Sequence, residues 1–111
     1  MRFLFSKSKV KEITPVEAQR RQTKQAAIIV DVREKDEWQG GHIPGARHVP
    51  LSDLQLRAQE ILSAPDVIFV CRSGNRSATA AKTFEGAGHP SVSSLAGGMG
   101  AWKRAGLPVK H

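Results

Sequence analysis

The stretch VIFVCRSGNRSATAAKTFEGAG, residues 67–88, carries the chain's one cysteine, Cys71, at the end of an apolar run. A polar segment follows, in which Arg72 and Arg76 flank Ser73, Gly74 and Asn75, and then an alanine-rich stretch begins. The thiolate is the nucleophilic form of cysteine, and a free thiol, with a pKa of about 8.5, is mostly protonated at neutral pH. Cationic neighbours and the unpaired amides at a helix N-terminus both favour the ionised form. Gly74 lets the backbone curl, Ser73 and Asn75 tolerate turn geometry, and such a loop gathers N–H groups into an anion-binding nest. A cysteine that ends an apolar strand is commonly an inert packing residue. Packing, however, gains nothing from Arg72, Gly74 and Arg76. The local composition therefore favours a reactive, anion-facing thiolate.

The rest of the composition narrows the chemistry. A single cysteine forms neither an internal disulfide nor a CxxC redox pair. His42, His48, His89 and His111 fall at no recognised zinc spacing, so neither a metal nor another cofactor is expected. With 111 residues, 40% hydrophobic and 24% charged, the sequence reads as one soluble domain. No apolar run nears the roughly 20 residues of a membrane helix. Phe3, Leu4 and Phe5 fall far short of a signal-peptide core of roughly 7–15 residues. The expectation is a cytoplasmic protein without membrane association, with a basic N-terminal extension over residues 1–9 and one domain over 10–109. The formal charge of +7 attracts anions. Outside Arg2–Lys11 the cations are scattered and tyrosine is absent, so no specific nucleic-acid partner is expected.

The elements that must position Cys71 follow from periodicity and end signals. KVKEIT reads as a short strand. TPVEAQRRQTKQ reads as a helix with Thr14 as cap, Pro15 in the first turn and Glu17 completing a capping box. AAIIVDV and DVIFV are β-branched runs short enough to be buried parallel strands. Between them, REKDEWQGG predicts a short helix stopped by Gly40 and Gly41, and GARHVPL a short strand. SDLQLRAQEIL predicts a helix capped by Ser52, with Leu54, Ala58, Ile61 and Leu62 as its apolar stripe. SATAAKTFEGAG predicts a helix ended by Gly86 or Gly88, SVSSL a final strand, and GGMGAWKRAG a turn and short helix. Strands alternating with helices predict an α/β fold on a mostly parallel sheet, whose ligands sit beyond the carboxyl ends of the strands. The residues after IIVDV and those after IFV converge there.

The segments IIVDVREKDEWQGGHIPGARHVPL, VIFVCRSGNRSATAAKTFEGAG and LAGGMGAWKRAGLPV together resemble the single-domain rhodanese family of sulfurtransferases, over roughly residues 10–109. The family's order is kept: DVR, an acidic residue and Trp, GHIPGA, the cysteine loop, then GG before a Trp. The resemblance implies a three-layer α/β fold, with a five-stranded, mainly parallel sheet and helices on both faces. It implies that Cys71 is the nucleophile and carries sulfur as a persulfide. Cys71–Arg76 is then the active-site loop, with Arg72, Ser73, Gly74, Asn75 and Arg76 binding substrate and their amides cradling the outer sulfur. A small anionic donor such as thiosulfate, or a persulfide, supplies the sulfur; cyanide, a thiol or a partner protein in a sulfur relay removes it. The oligomeric state is left open.

Around this loop, Asp31 and Arg33 are expected as structural support, with Glu37 as a partner for Arg33. His42 is expected to be structural too, because thiolate attack on a sulfane sulfur abstracts no proton. Gly40, Gly41, Pro44 and Gly45 read as turn residues. Gly97, Gly98 and Met99 are expected at the pocket rim, and Trp38 and Trp102 as packing residues. Two enzymatic alternatives use a related loop, phosphatases and arsenate reductases. Cysteine phosphatases set one more residue between Cys and Arg than the four between Cys71 and Arg76. An arsenate reductase with an internal disulfide relay needs a second cysteine. A non-catalytic rhodanese-like interaction module is a third alternative, and such modules typically lose the cysteine retained here.

Overall fold

The computed structural model describes residues 10–111, and the basic stretch 1–9 lies outside them. Five strands, β1 (Glu12–Ile13), β2 (Ile28–Asp31), β3 (Arg47–His48), β4 (Val67–Val70) and β5 (Val92–Leu95), lie in the order β1-β5-β4-β2-β3. Every neighbouring pair is parallel. The two apolar runs of the sequence thus become adjacent inner strands. Their register sets Asp31 beside Val70, which places both chain exits at one edge of the sheet.

Strand alternation divides the core in two. Val67 and Phe69 point to the face covered by Ile61 of α3 (Ala58–Leu62) and by Ala80, Ala81 and Phe84 of α4 (Asn75–Gly86). Ile68 and Val70 point to the opposite face, with Ala18 of α1 (Pro15–Thr23) and with Met99 and Trp102 of α5 (Gly98–Arg104). Helices on both faces of a parallel sheet make the three-layer α/β architecture expected from the sequence. Cys71, one residue past β4, keeps the parity of Val67 and Phe69 and belongs to the α4 side. Its thiol is aimed by the strand that carries it.

Several local expectations are corrected. Thr14 caps α1 through its hydroxyl, which accepts from the Glu17 amide at 3.2 Å. The Glu17 carboxylate does not complete the capping box; it binds the guanidiniums of Arg20 and Arg21. Charge-assisted bonds one turn along the helix outcompete a neutral amide. The helix expected from Ser52 to Leu62 is broken. Leu51–Asp53 form a 3₁₀ turn, Ser52 is no cap, and regular helix is confined to α3. Arg57 leaves helical geometry (φ −110°, ψ 21°), and its guanidinium reaches the His48 carbonyl and Glu60. Leu62, expected in the apolar stripe, is exposed. Helix α4 begins at Asn75, two residues before the expected start, so Asn75 and Arg76 belong to its first turn.

Among the described residues, no helix is long and apolar enough to cross a membrane.

Candidate active site

Gly74 is the N-cap of α4 and has a left-handed backbone (φ 114°) that favours glycine. That turn folds the loop over the Cys71 sulfur. The Gly74 amide donates to Sγ at 3.1 Å and the Ser77 amide at 3.3 Å, with the Ser77 hydroxyl 3.3 Å away. Burial pushes the Cys71 thiol up. The Ser77 hydroxyl and the amides of Ser77, Gly74 and Ser73 pull it down further, and its pKa ends below the ordinary value. Amides of the first helical turn have no partner within their own helix, and Asn75 and Arg76 open α4 directly after the loop. The groups on the sulfur are thus largely main chain.

The loop is held from behind by α5. The Met99 amide donates to the Cys71 carbonyl at 2.8 Å and the Gly100 amide to the Arg72 carbonyl at 3.2 Å. Contact is so close that a Cβ on Gly98 (φ 58°) would lie 2.4 Å from the Cys71 carbonyl oxygen. The sequence placed Gly97, Gly98 and Met99 at a pocket rim. Gly98 is instead the buried seat of the loop, and Met99 belongs to the core below it.

On the β2 side, Arg33 is buried and bonds the Asp31 carboxylate through Nε and Nη2, the latter at 2.8 Å, and the Gly41 carbonyl at 2.7 Å. Glu37 does not pair with Arg33. It binds Arg76 through both carboxylate oxygens, at 2.7 and 2.8 Å, and so ties α2 (Lys35–Gln39) to the first turn of α4. Arg33 has the Asp31 carboxylate two residues away, which leaves Glu37 for the charge on α4. That pairing pulls the Glu37 carboxyl down to about 2. His42 bonds the Trp38 carbonyl through Nδ1 at 2.9 Å and stacks on the Trp38 ring at 3.6 Å. His48 stacks at 4.7 Å and reaches the Arg33 carbonyl. Trp102 is buried and bonds the Pro108 carbonyl.

Of the side chains singled out in the sequence, Arg72, Ser73 and Asn75 are exposed at the loop, and Gly74 is buried under it. Arg76 is half-buried in its ion pair. Three further residues were not singled out. Ser77 touches the sulfur, Ser94 of β5 touches Ser77 at 2.7 Å, and Arg104 curls back along α5. The Arg104 Nη1 and Nη2 lie 3.3 and 3.8 Å from where side chains would start on Gly100 and Gly97. With the helix expected to begin at Ser77, that residue was not marked; only the start at Asn75 makes it the third residue of α4. No local pattern marks Ser94. Arg104 was legible only as a cation one helical turn after Gly100. Among the described residues, no cluster of His, Cys, Asp or Glu is arranged to hold a metal ion.

A parallel α/β sheet with a buried cysteine sulfur held by amides at its carboxyl edge sets the class. The family model of the rhodanese-like domain matches residues 14–105, and the chain belongs to that family. It is 37% identical over 106 residues to the thiosulfate sulfurtransferase GlpE of Pseudomonas putida, covering 93% of each chain. It is 39% identical over 74 residues to the putative sulfur carrier protein YrkF of Bacillus subtilis, covering 67% of this chain and 40% of that one. The chain spans about two fifths to three fifths of the length of several curated relatives that it matches. The crystal structure of a thiosulfate sulfurtransferase from Pseudomonas aeruginosa superposes with a TM-score of 0.82 at 32% identity, over 92% of this chain and 20% of that one. A Rhodopseudomonas palustris protein of unknown function, described as a possible tyrosine phosphatase, gives 0.83 at 29% identity, over 91% and 85%.

Proposed function

We propose that the chain is a sulfurtransferase that carries a sulfane sulfur on Cys71. The observation that carries this reading is the thiol's setting: two amides and a hydroxyl directed at Sγ from the start of α4. In the first step the thiolate attacks the outer sulfur of thiosulfate. A Cys71 S–S bond forms, the donor's S–S bond breaks, and sulfite leaves with the electron pair. In the second step an acceptor such as cyanide or a thiol attacks the outer sulfur, and the thiolate is restored. This is covalent catalysis by an activated nucleophile. Neither step needs a general base, in keeping with His42 being engaged with Trp38.

The negative charge moves from Sγ to the outer sulfur and back. The amides of Asn75 and Arg76 would take it up at the outer position, as an oxyanion hole does for oxygen. Arg72 and Arg104 are the cations assigned to the donor's sulfonate end. Arg76 is assigned to holding the loop, since Glu37 already compensates its charge. A persulfide donor or a relay protein is accommodated by the same cradle. The relay role agrees with the sulfur-carrier name given to YrkF.

The test is thiosulfate-to-cyanide transfer by the wild type and Cys71→Ala, with intact-protein mass after donor treatment. Wild type should gain one sulfur atom and turn over, and Cys71→Ala should do neither. Absence of transfer from thiosulfate and persulfide donors to both cyanide and thiols would overturn the reading. Hydrolysis of an aryl phosphate would support the phosphatase alternative instead.

A further inference from the structure

We propose that Ser94 is a positioning residue for the Cys71 thiolate, acting through the hydroxyl of Ser77. The inference rests on Cys71 working as a thiolate, and goes on to ask what directs the one side-chain donor that reaches it.

Ser77 Oγ lies 3.3 Å from Sγ, 3.2 Å from the Gly74 carbonyl and 2.7 Å from Ser94 Oγ. A hydroxyl has one proton and can serve only one of these at a time. The Gly74 carbonyl and a thiolate only accept, so the Ser94 orientation decides the outcome. Ser94 is fully buried, and Ser77 is its hydroxyl's only hydrogen-bond partner among the described residues. A buried hydroxyl left without an acceptor is costly, so the Ser94 proton points at Ser77. That leaves the Ser77 proton to Sγ or to Gly74. The charged sulfur is the stronger acceptor, and the chain Ser94 to Ser77 to Sγ polarises in one direction.

The sheet builds this arrangement. Ser94 is paired with Phe69 and projects to the same face as Phe69 and Cys71. Its neighbour Ser93 has a buried hydroxyl with no partner. A serine pair in a buried strand is therefore poor material for stability alone. When sulfur is loaded, the charge leaves Sγ, and the Ser77 proton can turn to the Gly74 carbonyl. The relay thus acts on the unloaded enzyme. The charged groups around the sulfur are Arg72 in the loop, Arg76 on α4 with Glu37 on α2, Asp31 ending β2 with Arg33 just past it, and Arg104 on α5. None of them hydrogen-bonds Ser94.

The test is the pH profile of Cys71 alkylation by iodoacetamide, which needs no sulfur donor and so reads the relay even if sulfur transfer fails. Threonine and valine at position 94 have the same shape, with and without the hydroxyl. Ser94→Val should raise the alkylation midpoint by about half a pH unit over Ser94→Thr, and Ser94→Ala should do the same relative to wild type. In a Ser77→Ala background the shift should vanish. Discharge of preloaded persulfide to a thiol should slow slightly in Ser94→Val relative to Ser94→Thr, because Cys71 leaves as the thiolate. Equal midpoints for the valine and threonine variants, or a shift that persists without the Ser77 hydroxyl, would overturn the proposal.

Discussion

At the scale of residues, charge is handled by two kinds of group. Amides and one hydroxyl hold the sulfur, while guanidiniums stand at a distance from it. Arg72 and Arg104 are exposed, and no described carboxylate forms a salt bridge with either. Exposed charge pairs contribute about 0.2–1 kcal/mol. Either Arg72→Ala or Arg104→Ala should therefore raise the KM for thiosulfate about twofold to fivefold at low salt, with kcat nearly unchanged. Initial-rate kinetics across ionic strength check this, since salt should erase the difference. An unchanged KM in both variants removes them from donor recognition. Cys71, Gly74 and the cationic flanks were legible in the sequence because they are local. The Glu37–Arg76 and Ser77–Ser94 pairs join residues 39 and 17 positions apart, and only the fold brings them together.

At the scale of elements, α5 is the support that makes the loop rigid. Its first residue, Gly98, combines a left-handed φ of 58° with backbone atoms where a side chain would start. The obstacle is main chain rather than the end of a flexible side chain, so the loop itself must shift. Gly98→Ala should lower stability by about 2 kcal/mol or more and depress turnover beyond what that loss explains. Denaturant unfolding beside kinetics on the folded fraction measures both; full activity in the folded fraction would show that the loop does not depend on α5. The strongly apolar strands β2 and β4 and the alanine-rich α4 were readable because each has a consistent pattern. The break before α3 was not readable. It depends on Leu51 being drawn to the Val32 carbonyl at the sheet and on Arg57 reaching back to His48.

At the scale of the whole molecule, the Glu37–Arg76 pair links the helix after β2 to the helix after β4 across the carboxyl edge of the sheet. The Glu37 carboxyl sits at about 2 in the fold, pulled down first by Arg76, against about 4.3 in an unfolded chain. A depressed carboxylate stabilises the fold above the unfolded value, and that contribution is lost as pH falls from about 4.5 through about 2. Glu37→Gln should therefore be less stable than wild type at neutral pH by about 1 kcal/mol, the pair being partly exposed. The gap should close near pH 2. Paired denaturant melts across pH test this, and a gap independent of pH would mean that the carboxylate's charge is not what stabilises. The α/β class and a mostly parallel sheet were visible in the sequence because they follow from patterning; the three layers were implied only by the family resemblance. Which charges meet across the carboxyl edge was not visible.

Because the groups on the Cys71 sulfur are main-chain amides and one buried hydroxyl of α4, none of them belongs to the exposed side chains of the loop. Residues 72, 73 and 75 are free to change with the donor or partner without removing a single amide from the sulfur. On the proposed function, recognition and sulfur holding are separable properties of one short loop. The shape of the loop rests instead on the glycines at 74 and 98, both at positive φ.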